Sequence, residues 1–318
     1  MKILNVKHPL KSDQIPSEDT VLIMGYFDGV HEGHQKVINR GVKLAKEKGL
    51  KSVLLTFDRS PREVYQHEKN YQYLSTVARK AELVEKLDVD YLYVMEFSLK
   101  FSRLTPDEFV DQYMVQMRAQ YVVAGFDYTY GKRDIANMEN LPKYAKGRFE
   151  VVTIPEQMYD GQKIGSSSIK ELITSGKVDL ANKVLGYNYQ NQGVVIHGLQ
   201  RGRTLGYPTA NIKTSTNQVK PSIGVYVTRI EVNGQWYKAM TSVGYNVTFK
   251  EDTGVTIEAN LFDFDEDIYD QPVRVEWLHY LRGEVKFDGA DGLIEQLHLD
   301  KENSLKYFKD QNKGDRTV

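Results

Sequence analysis

The pattern of apolar residues changes near residue 187, and this change constrains the fold more than any other feature of the sequence. Before that point, short β-branched and aromatic runs alternate with stretches of helical periodicity. After it, strand-like runs follow one another, with Asn233-Gly234 as a hairpin signal. A chain of 318 residues also exceeds the usual size of one domain. The sequence therefore predicts two domains, residues 1–186 and 187–318.

The first half predicts a parallel, doubly wound sheet. Its apolar runs have the length and composition of buried strands, at Val21–Met24, Ser52–Phe57, Tyr91–Met95, Tyr121–Ala124 and Val151–Ile154. Helical periodicity lies between them, over His34–Lys48, Val77–Leu87 and Pro106–Met117. Strands that alternate with helices favour an α/β fold with a parallel sheet.

The second half predicts a small β barrel or sandwich followed by one helix. The strand-like runs are Gly193–His197, Gly224–Val232, Trp236–Val243, Thr256–Phe264 and Val273–Tyr280. The closing helix covers Gly289–Phe308. A short helix over Val178–Leu185, ending on Gly186, places the domain boundary at about residues 183 to 190.

Composition limits the class of protein. The 42 basic and 43 acidic side chains are almost balanced, so no long-range positive field attracts nucleic acid or an anionic membrane. The chain has no cysteine, which excludes disulfides, thiolate zinc sites and a cysteine nucleophile. It also has no signal-peptide core and no apolar run near the roughly 20 residues that span a bilayer. These features predict a cytoplasmic protein without nucleic-acid or membrane partners.

The strongest motif is GYFDGVHEGH at residues 25–34, between the first predicted strand and the first predicted helix. Glycines there let the backbone approach a phosphate, and a helix start favours an anion. His31 and His34 are three residues apart and could stabilise charge that develops on one phosphoryl group. Two alternatives are a tight turn with solvent-facing histidines and a metal site made of Asp28, His31 and His34.

Three further segments carry polar groups suited to phosphate chemistry. GFDYTYGK at 125–132 follows a predicted strand, and KIGSSSIK at 163–170 precedes a predicted helix, where Ser168 and Glu171 could instead form a capping box. GLQRGRTLGYPTAN at 198–211 suits a loop folded over phosphates, with the Thr209 hydroxyl and Asn211 suited to Mg²⁺. Glycine-rich connections without a ligand are also common in barrels.

The motifs resemble those of one enzyme family. Residues 25–34 are similar to the His-x-Gly-His signature of adenylyl- and cytidylyltransferases, in the form found in bacterial bifunctional riboflavin kinase/FAD synthetases. Residues 198–211 resemble the Gly-x-Arg-x-Leu-Gly-x-Pro-Thr-Ala-Asn pattern of riboflavin kinases. The match is extended by GVY at 224–226, VGYNVTF at 243–249, IEANL at 257–261 and LRGEVKF at 281–287. The resemblance covers roughly residues 20 to 308.

The resemblance implies a Rossmann-like nucleotidyltransferase domain followed by a six-stranded riboflavin kinase barrel with a C-terminal helix. It implies two ATP-dependent reactions, phosphorylation of riboflavin to FMN and adenylylation of FMN to FAD. The implied reactants are ATP, riboflavin, FMN and FAD, with Mg²⁺ as cofactor.

The resemblance also assigns site residues. The catalytic residues are His31, His34 and, as the kinase base, Glu258. An inward glutamate in a barrel could instead pair with a basic neighbour. Arg282 is assigned to flavin, and Thr209 and Asn211 to Mg²⁺. The ATP-binding residues are Gly25, Phe27, Asp28, Gly29, Asp127, Lys163, Ser166, Ser167, Lys170, Gly198, Gly202, Gly206 and Asn211.

The chain departs from the family pattern at residues 163–170. Gly165 replaces a serine, Ser167 a threonine and Lys170 an arginine, so the charge is kept while the bidentate guanidinium is lost. One alternative function is therefore a riboflavin kinase whose adenylyltransferase domain is weak or silent. Another is a flavin-sensing protein without catalysis, which would not require Glu258, Thr209 or His31.

Overall fold

The computed structural model describes residues 1–65, 68, 70–198, 202, 205–245 and 255–314. The chain divides into two compact units, Met1–Ser166 and Ser167–Val318. Each unit has its own sheet. Residues 199–201, 203–204 and 246–249 of the motifs lie outside the described residues.

A six-stranded sheet forms the centre of the first unit. Its strands are β1 (Lys2–Val6), β2 (Thr20–Met24), β3 (Lys51–Phe57), β4 (Tyr91–Met95), β5 (Ala119–Gly125) and β6 (Glu150–Ile154). They lie in the order β1-β4-β3-β2-β5-β6, and every neighbouring pair is parallel. The strand order therefore reverses between β2 and β5, which is where open α/β sheets bind ligands.

The described helices of this unit are α1 (Glu32–Lys48), α2 (Pro61–Tyr65), α3 (Val77–Glu85), α4 (Leu99–Ser102), α5 (Pro106–Val110) and α6 (Leu141–Ala145). α1 ends at Gly49, whose φ of 68° is the left-handed cap that the sequence predicts. α5 continues as a π-helix over Asp111–Val115, within the predicted helix. A short hairpin of β7 (Met158–Tyr159) and β8 (Gln162–Lys163) follows β6.

A closed antiparallel barrel forms the second unit. Its strands are β9 (Gln190–Ile196), β10 (Ala210–Thr214), β11 (Gly224–Val232), β12 (Gln235–Tyr245), β13 (Val255–Leu261) and β14 (Pro272–Arg282). They close in the order β10-β13-β12-β11-β14-β9. Asn233 and Gly234, with φ of 51° and 82°, form the predicted turn between β11 and β12. The barrel and the parallel sheet confirm the predicted fold class.

Three further helices begin near or within the second unit: α7 (Ser166–Thr174), α8 (Val178–Leu185) and α9 (Ala290–Gly314). α8 packs against β14. The side chain of Asn182 on α8 donates to the carbonyl of Trp277 at 2.8 Å and accepts from the backbone N–H of Tyr189 at 2.8 Å. α8 thus belongs structurally with the barrel.

The barrel strands contain both tryptophans of the chain, Trp236 on β12 and Trp277 on β14. The Trp277 indole is fully buried, and its Nε1–H donates to Asn191 Oδ1 at 2.8 Å. Trp236 is 39% exposed.

Among the described residues, no helix is both long enough and apolar enough to cross a bilayer.

Candidate active sites

The first unit has a cavity of about 240 Å³ at the carboxyl ends of β2 and β5, where the strand order reverses. Several residues assigned from the sequence line this cavity together: Gly25, Phe27, His31, His34, Asp127, Lys163 and Ser166. The lining also includes Tyr26, Tyr128 and Glu156, which sequence reasoning did not single out. The cavity has the position expected for a nucleotide site in a doubly wound sheet.

The turn after β2 has a strained backbone. Phe27 and Val30 have positive φ angles of 52° and 40°, and Gly29 has a φ of 79°. A Cβ added to Gly25 would lie 2.5 Å from the Phe27 ring, so only glycine fits there without a shift. Strained backbone of this kind clusters at active sites and ligand-binding turns.

Asp28 holds this turn in place. Its side chain is buried, and Oδ1 accepts from the backbone N–H groups of Leu74 at 2.9 Å and Ser75 at 3.3 Å. Gly29 N–H donates to Ser75 Oγ at 3.0 Å. Neither Asp28 nor Gly29 lines the cavity, so their assignment to ATP binding stays a prediction.

The alternative metal site of Asp28, His31 and His34 has no support in the structure. Among the described residues, no group of three or more His, Asp or Glu side chains is arranged to hold a metal ion. Asp28 uses its carboxylate to hold the turn, as described above.

His31 and His34 stack face to face at the start of α1. Their ring centroids are 3.6 Å apart with an interplanar angle of 19°. His31 is the N-cap of α1, and its Nδ1 accepts from the backbone N–H of His34 at 3.3 Å. A neutral imidazole that accepts at Nδ1 carries its proton on Nε2. His31 therefore keeps an Nε2–H donor while it caps the helix.

Both imidazoles are neutral at pH 7. Burial lowers the pKa of His31 to about 4, and burial also lowers the pKa of His34 well below its ordinary value. The two rings thus act as hydrogen-bond donors rather than as fixed cations in the ligand-free protein. An arriving phosphate would favour their protonated forms.

We expect the stability of the first unit to fall in acid because of this burial. Below an ordinary pKa of 6.5, the unfolded His31 binds a proton that the folded His31, with its pKa of about 4, does not. The contribution of neutral His31 to the free energy of unfolding is therefore fully present above pH 6.5. It is lost as pH falls toward 4, by about 1.4 kcal/mol per pH unit. Hydrogen exchange of β2 and β3 amides at pH 5 and pH 7, corrected for intrinsic rates, measures this loss.

His31→Asn is the matched variant, because asparagine keeps a helix N-cap and does not titrate. In this variant, the protection of β2 amides against hydrogen exchange should depend less on pH. An unchanged dependence would show that His31 does not carry the effect.

Asp127 and Lys163 form the other polar side of the first cavity. Lys163 Nζ lies 3.2 Å from Asp127 Oδ2 and 3.1 Å from Glu156 Oε1, and 4.6 Å from the centroid of the Phe126 ring. These ion pairs are about half exposed, so they contribute little to stability. Lys163 can therefore exchange its carboxylate partners for a phosphate at small cost.

Ser167 and Lys170 lie on α7, in the second compact unit. Ser167 is exposed and Lys170 is half-buried. Neither lines the first cavity. Ser166, the first residue of α7, does line it, and its Oγ donates to the carbonyl of Asp28 at 3.0 Å.

The second unit has a larger cavity, of about 590 Å³. Its lining brings together Gly202, Thr209, Glu258 and Arg282, which the sequence assigns to phosphate, Mg²⁺, proton transfer and flavin. In the register of β10 and β13, Asn211 lies directly opposite Glu258. Cross-strand partners project to the same face of a sheet. The Asn211 side chain therefore shares the barrel face of Glu258, although it does not line the cavity.

Close contacts leave no room for a side chain at Gly202 without a shift of the backbone, and none at Gly198 without a shift of the Asn211 side chain. A Cβ on Gly202 would lie 2.1 Å from the carbonyl oxygen of Tyr207, and one on Gly198 would lie 2.2 Å from Asn211 Nδ2. Gly206 needs glycine for a different reason, its φ of 78°. Gly198 and Gly206 do not line the cavity. The glycines thus shape this segment, and a direct ATP contact stays a prediction for them.

Arg282 lies in a strong ion pair with a residue that sequence reasoning missed. Its guanidinium donates to Asp300 of α9, from Nη2 to Oδ2 at 2.6 Å and from Nε to Oδ1 at 2.9 Å. Asp300 is buried and also accepts from Gln296 Nε2 at 3.0 Å. Both Arg282 and Asp300 line the cavity. Since they are 18 residues apart, no local pattern could have paired them.

The segment that carries Thr209 is held from two sides. The Tyr207 hydroxyl lies 2.6 Å from His298 Nδ1 on α9. Asn260 Nδ2, two residues beyond Glu258 on β13, donates to the carbonyl of Pro208 at 2.7 Å. These contacts fix Thr209 at the edge of the cavity that Glu258 also lines.

Two family models match the chain. The model described as FAD synthetase matches residues 13–168, and the model described as riboflavin kinase matches residues 185–308. The first match contains the cavity of the parallel sheet, and the second contains the cavity of the barrel.

Relatives match along nearly the full chain. A protein of Listeria monocytogenes named bifunctional riboflavin kinase/FMN adenylyltransferase is 43% identical over 309 residues, covering 97% of this chain and 98% of the relative. A protein of Bacillus subtilis with the same name is 39% identical, covering 98% of this chain and 100% of the relative.

A solved structure shares the fold. A crystal structure described as a macrolide-efflux protein from Streptococcus pneumoniae is 37% identical, with a TM-score of 0.88. The match covers 96% of this chain and 99% of that one.

Proposed function

This chain belongs to the bifunctional riboflavin kinase/FMN adenylyltransferase family and makes flavin cofactors from riboflavin and ATP, and we propose that each compact unit carries one of the two reactions. The observation that carries this proposal is the presence of two separate cavities, each lined by one set of motif residues. We propose that the adenylyltransferase motif residues lie within residues 1–186 and the kinase motif residues within residues 187–318, while residues 167–186 belong structurally to the barrel unit.

In the barrel, Glu258 acts as the base of the kinase reaction. Its carboxylate accepts the proton of the terminal ribityl hydroxyl of riboflavin. The hydroxyl oxygen then forms a bond to the γ-phosphorus of ATP, the bond to the β-γ bridging oxygen breaks, and FMN and ADP result. The proposal is supported by the shared cavity lining of Glu258 and Thr209 and by the contacts that hold Pro208 next to Thr209.

The residues present fit a magnesium ion that enters with ATP. Thr209 directly precedes β10 and Asn211 lies on it, and together they offer a hydroxyl and an amide oxygen. Oxygen donors of this kind, completed by substrate phosphates, suit Mg²⁺. When bound, Mg²⁺ neutralises charge on the phosphates.

In the parallel-sheet unit, His31 and His34 act on the adenylyl transfer. An oxygen of the FMN phosphate forms a bond to the α-phosphorus of a second ATP, and pyrophosphate leaves. The incoming group is already an anion, so no protein base is needed. The His31 Nε2–H and the neighbouring His34 ring donate to the phosphoryl oxygens as charge develops, and Lys163 moves from its carboxylates to the phosphates.

Arg282 is proposed to bind the flavin nucleotide in the barrel cavity, with Asp300 orienting its guanidinium. Asp127 and Ser166 contribute to the ATP site of the first cavity, which they line. Roles of Ser167 and Lys170 in binding the triphosphate remain part of the proposal. Because its substrates are metabolites, we propose a cytoplasmic location.

One assay tests the proposal. The chain is incubated with riboflavin and Mg-ATP, and FMN and FAD are separated by chromatography. Formation of both products supports two active sites. FMN without FAD would support the alternative in which the adenylyltransferase half is silent, and no product would support a flavin-sensing protein.

The kinase activity should require the barrel together with α7 and α8, which precede it. A fragment of residues 167–318 should fold and phosphorylate riboflavin unaided. A fragment of residues 187–318 lacks α8, whose Val178, Ala181, Val184 and Leu185 are buried. Loss of their burial costs about 4 kcal/mol or more, so its melting temperature should be lower by about 10 °C or more. Thermal unfolding followed by circular dichroism compares the two fragments.

The complement, residues 1–166, is the control and should phosphorylate no riboflavin. If the 167–318 fragment melts cooperatively yet forms no FMN, the kinase site needs residues from the first half, and the proposal of one site per unit is wrong.

A further inference from the structure

Lys80 is a buried lysine on α3 that bonds to the start of the Gly25–Val30 turn. Its exposed fraction is 2%. Nζ donates to the carbonyl oxygen of Tyr26 at 2.7 Å, to Thr56 Oγ1 at 3.1 Å and to the carbonyl oxygen of Phe57 at 3.3 Å. Each N–H of the ammonium thus has an acceptor. Lys80 fastens the turn after β2 to the end of the neighbouring strand β3.

The three oxygens around this ammonium are neutral, so its positive charge is not cancelled by direct contact with a carboxylate. Thr56 Oγ1 itself donates to the Tyr26 carbonyl at 2.7 Å, which leaves that carbonyl with two donors. Burying a charge without an ionic partner costs free energy. Groups buried at such a cost are concentrated at functional sites, and Tyr26 lines the first cavity.

We infer that Lys80 is a positioning residue of the adenylylation site. Lys80 fixes the Gly25–Val30 turn and supplies a buried positive charge, and this charge increases the affinity of the site for the triphosphate of ATP. The inference rests on the proposed adenylylation in the first cavity. Lys80 does not line that cavity. It therefore acts through Tyr26, whose ring centroid lies 4.5 Å from Nζ, and through its electric field, which burial leaves weakly screened.

Among the described residues, the charged and titratable groups that interact electrostatically with Lys80 include Asp28, Asp58, Tyr26 and His34. Burial lowers the pKa of Lys80 to about 8, while Asp28 and Asp58 act in the opposite direction. Lys80 in turn contributes to the lowered pKa of His34. At pH 7, Lys80 is therefore charged and His34 is neutral. An anion in the cavity favours the charged lysine, and by linkage the charged lysine favours the anion.

The first experiment tests the charge of Lys80 by comparing an anionic inhibitor with a neutral one. Lys80→Met removes both the charge and the hydrogen bonds, while Lys80→Gln removes the charge and keeps an N–H donor. Adenylylation of FMN is measured with inhibition by pyrophosphate, an anion, and by adenosine, which is neutral. In both variants the inhibition constant of pyrophosphate and the KM for ATP should rise about tenfold or more, and the inhibition constant of adenosine should stay within about twofold.

Two controls accompany the variants. Lys86→Met changes an exposed lysine directly after α3 and should leave every constant unchanged. Riboflavin phosphorylation by the same samples should also be unchanged, which shows that the barrel unit is folded, while unchanged inhibition by adenosine shows that the first unit is folded. An unchanged inhibition constant for pyrophosphate, or an equal loss for pyrophosphate and adenosine, would overturn the inference.

The second experiment uses the unaltered chain and does not depend on activity. Lysine labelled with ¹³C at Cε is titrated by nuclear magnetic resonance, and the Lys80 signal is identified by its pKa of about 8, which burial holds below the ordinary range of lysine. Saturating pyrophosphate should raise the pKa of Lys80 by about one unit, which is the linkage counterpart of a tenfold effect on affinity. A pKa that does not move would overturn the inference even if both variants failed to fold.

The outcomes also separate this inference from the proposed function. If the unaltered chain makes no FAD from FMN, the proposed adenylylation is wrong. If it makes FAD and the Lys80 variants bind pyrophosphate as well as the unaltered chain does, only the inference about Lys80 is wrong.

Discussion

Glu258→Gln should lower the rate of riboflavin phosphorylation by about two to four orders of magnitude, the range for loss of a general base. Glutamine has nearly the volume of glutamate, so the cavity that Glu258 shares with Thr209 and Arg282 keeps its shape. The amide has no basic oxygen that could take the ribityl proton. The measurement is the initial rate of FMN formation from riboflavin at saturating Mg-ATP.

Adenylylation of supplied FMN by the same variant should continue at the normal rate, because the first cavity is untouched. Glu231→Gln is the matched control, since Glu231 lies on β11, pairs with Arg274 at 3.2 Å and does not line the cavity. It should phosphorylate riboflavin normally. A Glu258→Gln variant that retained full kinase activity would leave the reaction without its assigned base.

His31→Ala and His34→Ala should each slow FAD formation from FMN by about a hundredfold or more, the scale of losing one transition-state donor. The two rings stack at 3.6 Å, so each variant also removes the support of the other ring. The double variant should therefore lose less than the product of the two single losses. Initial rates of FAD and pyrophosphate formation at saturating FMN and Mg-ATP provide the comparison.

Riboflavin phosphorylation should persist in these histidine variants. His8→Ala is the control in the same unit, because His8 contacts Tyr113 and does not line the cavity. If both reactions fell together in a chain that remained folded, the division of the two reactions between the two units would be wrong.

The elements that local patterns specify were predicted well. Val178–Leu185, Gly224–Val232 and Tyr91–Met95 have the predicted bounds, because each is a run of one periodicity bounded by turn or cap residues. Local sequence also accounts for part of each cavity lining, because Gly25 and His34 in the first cavity, and Gly202 and Thr209 in the second, belong to single short motifs.

Two strands of the six-stranded sheet and the barrel were missed for a physical reason, and the short β7–β8 hairpin was not predicted either. β1 (Lys2–Val6) buries Val6 alone, and it is specified by its parallel pairing with β4, which is distant in sequence. β10 (Ala210–Thr214) buries only Ile212 and Thr214 and closes the barrel between β9 and β13. β1 has no clear alternating pattern, and the alternation of β10 extends over only five residues, so tertiary pairing rather than local hydrophobicity determines both strands.

Asp300 and Lys80, which the sequence patterns did not indicate as site residues, are likewise placed by tertiary packing. Asp300 is brought to Arg282 by the packing of α9, and Lys80 is brought to Tyr26 and Thr56 by the packing of α3. In sequence, each is an ordinary charged residue on an amphipathic helix. Only the fold shows that Lys80 and Asp300 are buried.

The location of both tryptophans in the barrel makes the intrinsic ultraviolet emission of this chain a label-free reporter of one unit. Trp277 is fully buried and Trp236 is 39% exposed, so a red shift on denaturation reports mainly the moment at which water reaches Trp277. The parallel-sheet unit emits only through tyrosine. Excitation at a wavelength that tyrosine does not absorb therefore follows barrel opening alone, while circular dichroism follows the whole chain. A difference between the two curves gives the order in which the units unfold.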